Sequence, residues 1–273
     1  MVIFPNAKIN IGLNILRKRK DGYHDIETIF YPIGLKDALE YVVNGKDHLN
    51  LESSGIILDV PPGMNIVTKV YRKLQEDYLL PGLDIHLHKV IPAGAGLGGG
   101  SSDAAFFLKS LNEHFELNIS PGKLKEIAGS LGADCAFFLE NKPVFARGTG
   151  DQLSPVCLNL KGKHLLLVKP PFSVDTRIAY SGVIPCENPA DIREVVPGEI
   201  TSWGKGLKND FEETLFKRFT ELEVLKVNLA GLGAGYVSMS GSGSSVYAIF
   251  EKKPILGINQ FPPDYFIWQE ELC

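Results

Sequence analysis

The stretch "IPAGAGLGGGSSDAAFFL", positions 91 to 108, has the residue types and spacing to do chemistry. Five of the seven residues from Gly94 to Gly100 are glycine, and two serines and an apolar run follow. Each glycine loses more backbone freedom on folding than any other residue, so the concentration needs a reason. The flanks supply one. "LDIHLHKVI" alternates as a strand before the glycines, and Ala104, Leu108, Leu111 and Phe115 share a helical face after them. A strand, a glycine loop and a helix N-terminus together bind phosphate. The unpaired N–H groups of the first turn and the helix dipole face the anion, and the missing side chains let it approach. A flexible linker is excluded because hydrophobicity is kept on both sides, and a packed turn needs one or two glycines rather than five.

Other phosphate loops fit less well. The lysine of a Walker A loop is missing. Gly94, Gly96 and Gly99 satisfy G-x-G-x-x-G, but a second helix follows where a dinucleotide fold has a parallel strand ending in an acidic residue. The H-R-D and D-F-G sequences of protein kinases are also missing.

Further candidates are individually bland. Lys8 alternates with Ile9, Ile11, Leu13 and Ile15 on a half-buried strand, where a lysine ordinarily faces solvent; Asn10 shares its face. Asp134 in "GADCAFFL" reads as a loop aspartate or a helix cap. Tyr23 and His24 follow a D-G turn and read as surface residues. His86 and His88 share a strand face without a third ligand at metal spacing and are expected to face solvent. Gly241, Ser242 and Gly243 suit a hairpin loop between two apolar strands.

The elements that must position these residues are legible in outline. "NIVTKVYRKLQEDYL" predicts a helix with Asn65 as its N-cap and Val67, Val70, Tyr71, Leu74 and Tyr78 in one stripe. Ser101 or Ser102 is a suitable cap for the helix after the glycines. Ser120-Pro121 opens another helix, with Leu124, Ile127, Ala128 and Leu131 inward and Gly132 at its end. Beyond Leu153 come fresh strands, a helix near 210–230 and a hairpin-like end. The chain reads as two α+β halves, with a boundary near 150–160.

A chain of 273 residues, 44% hydrophobic and 22% charged, suits one large or two smaller folded domains. A net charge of -4 gives no global attraction for nucleic acid or acidic membranes, so neither is expected as a partner and an anionic ligand must be held locally. Cys135, Cys157, Cys186 and Cys273 are scattered, without a C-x-x-C pair, which argues against zinc and disulfides and fits a reducing compartment. No segment suits a signal peptide or a membrane span, and a cytoplasmic location is expected.

P-x-G-A-G-L-G-G-G-S-S-D-A resembles the central ATP-binding motif of the GHMP kinases, small-molecule kinases for alcohols such as galactose, homoserine and mevalonate. "PNAKINIGLNIL" resembles their first motif and "MSGSGSSVYAIF" at 239–250 their third. "AKIN" with "DGYHDIET" is similar to the branch that phosphorylates a cytidine-diphosphate sugar alcohol in the non-mevalonate route to isoprenoid precursors. The resemblance implies a two-domain α+β fold with the active site in the cleft. The N-terminal domain (1–155) would be ribosomal-protein-S5-domain-2-like and the C-terminal domain (156–273) ferredoxin-like. ATP would lie on Pro92, Ala93, Gly94, Ala95, Gly96, Leu97, Gly98, Gly99, Gly100, Ser101 and Ser102. Lys8 becomes an active-site residue and Asp134 the catalytic base, and an aspartate of ordinary acidity is ionised at neutral pH. Asn10 joins Lys8 near the substrate hydroxyl. Tyr23, His24, Thr176 and Tyr180 become cytidine contacts, with Gly241 and Ser242 in a loop holding the diphosphate. Mg²⁺ is expected with ATP rather than as a tightly held protein metal. The alternatives are another GHMP kinase, which "DGYH" argues against, or a nucleotide-binding relative without activity, against which Lys8 and Asp134 weigh.

Overall fold

In a computed structural model, which describes residues 1–57, 60–187 and 189–273, the chain begins with a two-residue strand followed by two long ones. The elements run β1 (Val2–Ile3), β2 (Asn6–Lys18), β3 (His24–Lys36), β4 (Ala38–Val43), β5 (Asn50–Gly55), α1 (Ile66–Gln75), β6 (Leu83–Lys89), α2 (Gly99–His114), α3 (Pro121–Leu131) and α4 (Cys135–Glu140). There follow β7 (Val144–Arg147), β8 (Gln152–Pro155), β9 (His164–Lys169), α5 (Thr176–Ser181), α6 (Ile192–Val195), α7 (Ile200–Trp203), α8 (Glu212–Arg218) and α9 (Thr220–Gly231). The chain closes with β10 (Tyr236–Met239), β11 (Val246–Phe250) and β12 (Phe266–Glu271). Among the described residues the strands form three sheets, ordered β1-β4-β6-β5, β2-β3-β7-β8 and β10-β11-β9-β12. β5 runs parallel to β6, whereas β10, β11, β9 and β12 are antiparallel throughout. This is the α+β mixture expected. No helix among the described residues is long and apolar enough to cross a membrane.

The chain packs as two units, each discontinuous in sequence. The first comprises Met1–Ala7, Leu35–Ala93 and Gly98–Lys142; the second comprises Lys8–Gly34, Gly94–Leu97 and Pro143–Cys273. Packing therefore groups residues 8–34 and 143–155 with the C-terminal half, whereas a linear division at 155 follows chain order. In the first unit, α1 and α2 bury Val67, Val70, Tyr71, Leu74, Phe107, Leu108 and Leu111 against Leu39, Tyr41, Ile85 and Leu87 of β4 and β6. In the second, Leu13, Ile15 and Ile26 share a core with Leu166, Val168, Leu222, Met239 and Val246.

Two helix starts follow the sequence. The Asn65 side chain accepts the Val67 N–H at 2.9 Å, and Ser120 accepts that of Lys123 at 3.3 Å, with Pro121 opening α3 and Gly132 closing it. Such a cap contributes about 1 kcal/mol.

Three expectations need correction. Neither Ser101 nor Ser102 caps α2: the N-cap is Gly98, at φ +71, and both serines lie inside the helix. A left-handed turn at Gly98 lets the helix begin before the serines are reached. The helix near 210–230 is two, α8 and α9, broken where Phe219 takes the extended angles φ -128 and ψ 79. Finally, β2 is buried on both faces rather than one, so Lys8, Asn10 and Asn14 are enclosed with the apolar residues between them.

Candidate active site

Lys8 is 3% exposed, which removes the surface reading. An enclosed ammonium costs several kcal/mol unless it is hydrogen-bonded, and this one is. Its Nζ donates to Asn10 Oδ1 at 2.6 Å and to the Gly96 carbonyl at 3.3 Å, and lies 4.8 Å from the centroid of the Phe30 ring. Asn10 is fixed in turn. Its Nδ2 donates to Thr28 Oγ1 at 3.1 Å, its N–H donates to Ser240 Oγ at 3.2 Å, and its carbonyl accepts the Tyr247 hydroxyl at 2.7 Å. Lys8 and Asn10 thus meet, as their shared face on β2 predicts.

Two glycine loops pack on this pair within the second unit. Gly96 offers its carbonyl to both Lys8 and Ser240 Oγ (2.9 Å), and the Ala95 carbonyl accepts the Ser245 N–H at 3.3 Å. Gly96 has φ +74, and a Cβ there would overlap the Ser240 carbonyl. A Cβ on Gly241 would lie 3.3 Å from Asn10 Oδ1 and from the Gly96 carbonyl. A Cβ on Gly94 would meet Ser173 at 2.9 Å.

The rest of the glycine loop belongs to the first unit. Pro92 is buried and Ala93 exposed at its entrance. The N-cap residue of α2, Gly98, has no side chain to bond the first turn, so N–H groups there can face an anion. A Cβ on Gly99 would press on Ile91 Cγ2 at 2.8 Å, which explains that glycine by packing. Gly100 is different. It is exposed inside the helix, and the nearest atom to a Cβ there is Ile66 Cγ2 at 3.8 Å. No contact among the described residues requires glycine at this position, although glycine weakens a helix; close approach of a ligand would require it.

Asp134 lies in the first unit, half-buried at the position before α4, and makes no capping hydrogen bond to that helix. Its neighbour Cys135 is enclosed, and burial pushes the thiol up to about 11, so it is no nucleophile.

The cytidine candidates come together in part. The His24 ring stacks on Tyr180 at 4.6 Å between centroids, with 19° between planes, and Phe211 meets Tyr180 edge-on at 4.8 Å. Burial, then the Lys18 charge, lowers the His24 pKa below its usual 6.5, so the imidazole is neutral at pH 7. Thr176 Oγ1 lies 3.3 Å from Ser242 Oγ. Tyr23 stands apart, with its side chain 66% exposed and its N–H donated to Asp21 Oδ1. His86 and His88 face solvent with Ser54 between them, as expected.

Sequence reasoning missed the residues that hold the loops. Asn209 Nδ2 donates to the carbonyls of Met239 and Gly241, both at 2.8 Å, while its Oδ1 accepts the Phe211 N–H. Glu212 accepts the Met239 N–H at 2.8 Å. Lys169 is buried and donates to the carbonyls of Pro170 and Phe172, shaping the turn that reaches Ser173. The polar run "KNDFEE" leading into the first turn of α8 was the available signal for the first two.

Comparison with known proteins matches residues 65–142 to the GHMP kinases N terminal domain and residues 191–257 to the GHMP kinases C terminal domain. The 4-diphosphocytidyl-2-C-methyl-D-erythritol kinase of Parabacteroides distasonis is 48% identical over 272 residues, covering 100% of both chains. That of Bacteroides thetaiotaomicron is 45% identical over 274 residues, again covering 100% of both. A crystal structure of 4-(cytidine 5'-diphospho)-2C-methyl-D-erythritol kinase superposes with a TM-score of 0.76 at 31% identity, covering 91% of this chain and 90% of that one.

Proposed function

The chain belongs to the GHMP kinases and, within them, to the 4-diphosphocytidyl-2-C-methyl-D-erythritol kinase family, and we propose from that premise which residues carry the reaction. The activity is ATP-dependent phosphorylation of 4-diphosphocytidyl-2-C-methyl-D-erythritol at its 2-hydroxyl, in the non-mevalonate isoprenoid route. The observation that carries the residue assignment is the enclosed Lys8, tied through Gly96 to the glycine loop and through Asn10 to the 240–245 loop. Phosphoryl transfer is largely dissociative, so position and charge neutralisation matter more than early proton removal.

ATP phosphates lie on the segment from Pro92 to Ser102, where the uncapped start of α2 and the open space at Gly100 support them. Lys8 neutralises charge as the phosphoryl group moves, and Asn10 sets the direction of its ammonium. Asp134 accepts the hydroxyl proton. Mg²⁺ would arrive as the counter-ion of ATP. When bound with ATP, that ion supplies charge neutralisation on the phosphates. His24 and Tyr180 hold the cytosine, with Thr176, Gly241 and Ser242 beside the diphosphate; Tyr23, exposed at a turn, would have to come to the base. The cytoplasm suits the four free thiols, three of them exposed.

The test is ADP release with and without the cytidine-diphosphate alcohol, against a panel including homoserine and phosphomevalonate. Stimulation by the cytidine substrate alone is expected. Turnover of another alcohol in its place would overturn the substrate assignment.

A further inference from the structure

Beneath the glycine loop lies a cluster for which the reaction gives no role. Lys89, the last residue of β6, is 3% exposed, and Asp37 and Asp103 are 1% and 2% exposed. The Lys89 ammonium donates to Asp103 Oδ2 at 2.7 Å and also to Asp37 Oδ2. Asp37 Oδ1 accepts the N–H groups of Val90 and Ile91 at 2.6 and 2.9 Å, and thereby fixes the backbone where β6 becomes the loop. Asp103 sits early in α2, where the loop ends. A Cβ on Gly99 would lie 3.4 Å from Lys89 Nζ, so the helix start rests directly on the ammonium. Both feet of the loop are joined through three side chains.

The charges do not cancel if all three groups are ionised. One ammonium and two carboxylates leave a negative charge enclosed, which is costly. Asp103 Oδ1 is buried and no donor faces it. A proton on the pair removes the enclosed charge and leaves Asp103 Oδ1 on a neutral group, which is less costly to bury unpaired, and the Asp37 side chain adjoins Asp103 to share that proton. The charged groups facing Asp103 are Lys89 from β6 and Asp37 from the turn between β3 and β4.

We propose that Lys89, Asp37 and Asp103 form a clasp of zero net charge — one ammonium, one carboxylate, one carboxylic acid — that holds the feet of the glycine loop together for nucleotide binding. This rests on the reading of that loop as the ATP phosphate site. All three are positioning residues. Burial, against the pull of Lys89, pushes the Asp103 carboxyl from 3.8 up to about 7, with Asp37 adding to the rise. The folded chain therefore holds a proton that the unfolded chain has released above about pH 4. Stability drops as pH rises from there to about 7, then levels off.

The experiment compares the full-length protein with Asp103→Asn, which copies the protonated form. Wild-type ATP affinity should weaken by about fivefold between pH 6 and 9, beyond the change in the variant, where the nucleotide's own titration is common to both. The wild-type melting temperature without ligand should also fall from pH 5 to 8 relative to the variant. Parallel profiles of both quantities would overturn the clasp. Infrared spectra of the unaltered protein supply a test that needs no variant: a buried carboxylic-acid band should vanish as pH passes about 7, and its absence at pH 5 sinks the proposal. The infrared and melting readings do not involve ATP, so a protein that shows them but binds ATP elsewhere refutes the loop reading instead.

Discussion

Removing the proton acceptor and removing the base-binding ring should have different kinetic signatures. Asp134→Asn is expected to lower kcat by about 10²–10⁴, the usual contribution of a positioned acid–base group, with ATP affinity little changed. Turnover within a few-fold of wild type in a folded variant would leave Asp134 without the role of base. At the other end of the substrate, a neutral His24 offers one donor and one acceptor to a base edge. CDP should therefore compete with the alcohol substrate better than UDP, since leaving a buried polar edge unpaired costs about 1–3 kcal/mol. His24→Ala should erase much of that preference, and Tyr180→Ala should weaken both nucleotides alike. Acidification through the depressed His24 pKa removes the acceptor, so the preference should fade at low pH. Equal inhibition by CDP and UDP at neutral pH would dismiss base-specific recognition.

Helix α2 sets stability against binding at a single position. Gly100→Ala should stabilise the fold by up to about 1 kcal/mol, since alanine favours a helix and the space is open, while weakening ATP binding where phosphate needs that space. Chemical denaturation and ATP titration on the same variant decide it; a stabilised protein with undiminished affinity would place the phosphates elsewhere. Local signals of this kind were readable in advance. α1 and α3 begin where Asn65 and Ser120 say they should, because a cap bonds within three residues of itself. The start of α2 was misplaced because a glycine turn leaves no side-chain signature. Lys8 was harder still. Its strand alternates like a half-exposed one, and its burial comes from loops up to 230 residues further on, as in the Asn10–Ser240 bond. Asp37 meets Lys89 across 52 residues, and nothing beside it in the chain announces the pairing. Chemistry was legible where a family motif carried it; the support beneath the motif was not.

At the scale of the molecule, the discontinuity of the two units governs what a fragment can do. The piece 156–273 lacks Leu13, Ile15 and Ile26, which share its core. Expressed alone, it should bind a hydrophobic dye and give a poorly dispersed NMR spectrum, and adding residues 1–155 should restore order. A dispersed spectrum from 156–273 alone would show that the strands near the N-terminus are dispensable to that core. The same arrangement imposes a schedule on biosynthesis. The first unit is complete once Lys142 has left the ribosome, but Leu13, Ile15 and Ile26 of β2 and β3, made at the outset, gain their core neighbours in β9, β10 and β11 only when Phe250 has been added. At about 5–20 residues per second, the early strands wait roughly ten to forty seconds with apolar residues uncovered. Yield in the cell thus depends on how quickly the later codons are read and on what shelters the nascent strands until then.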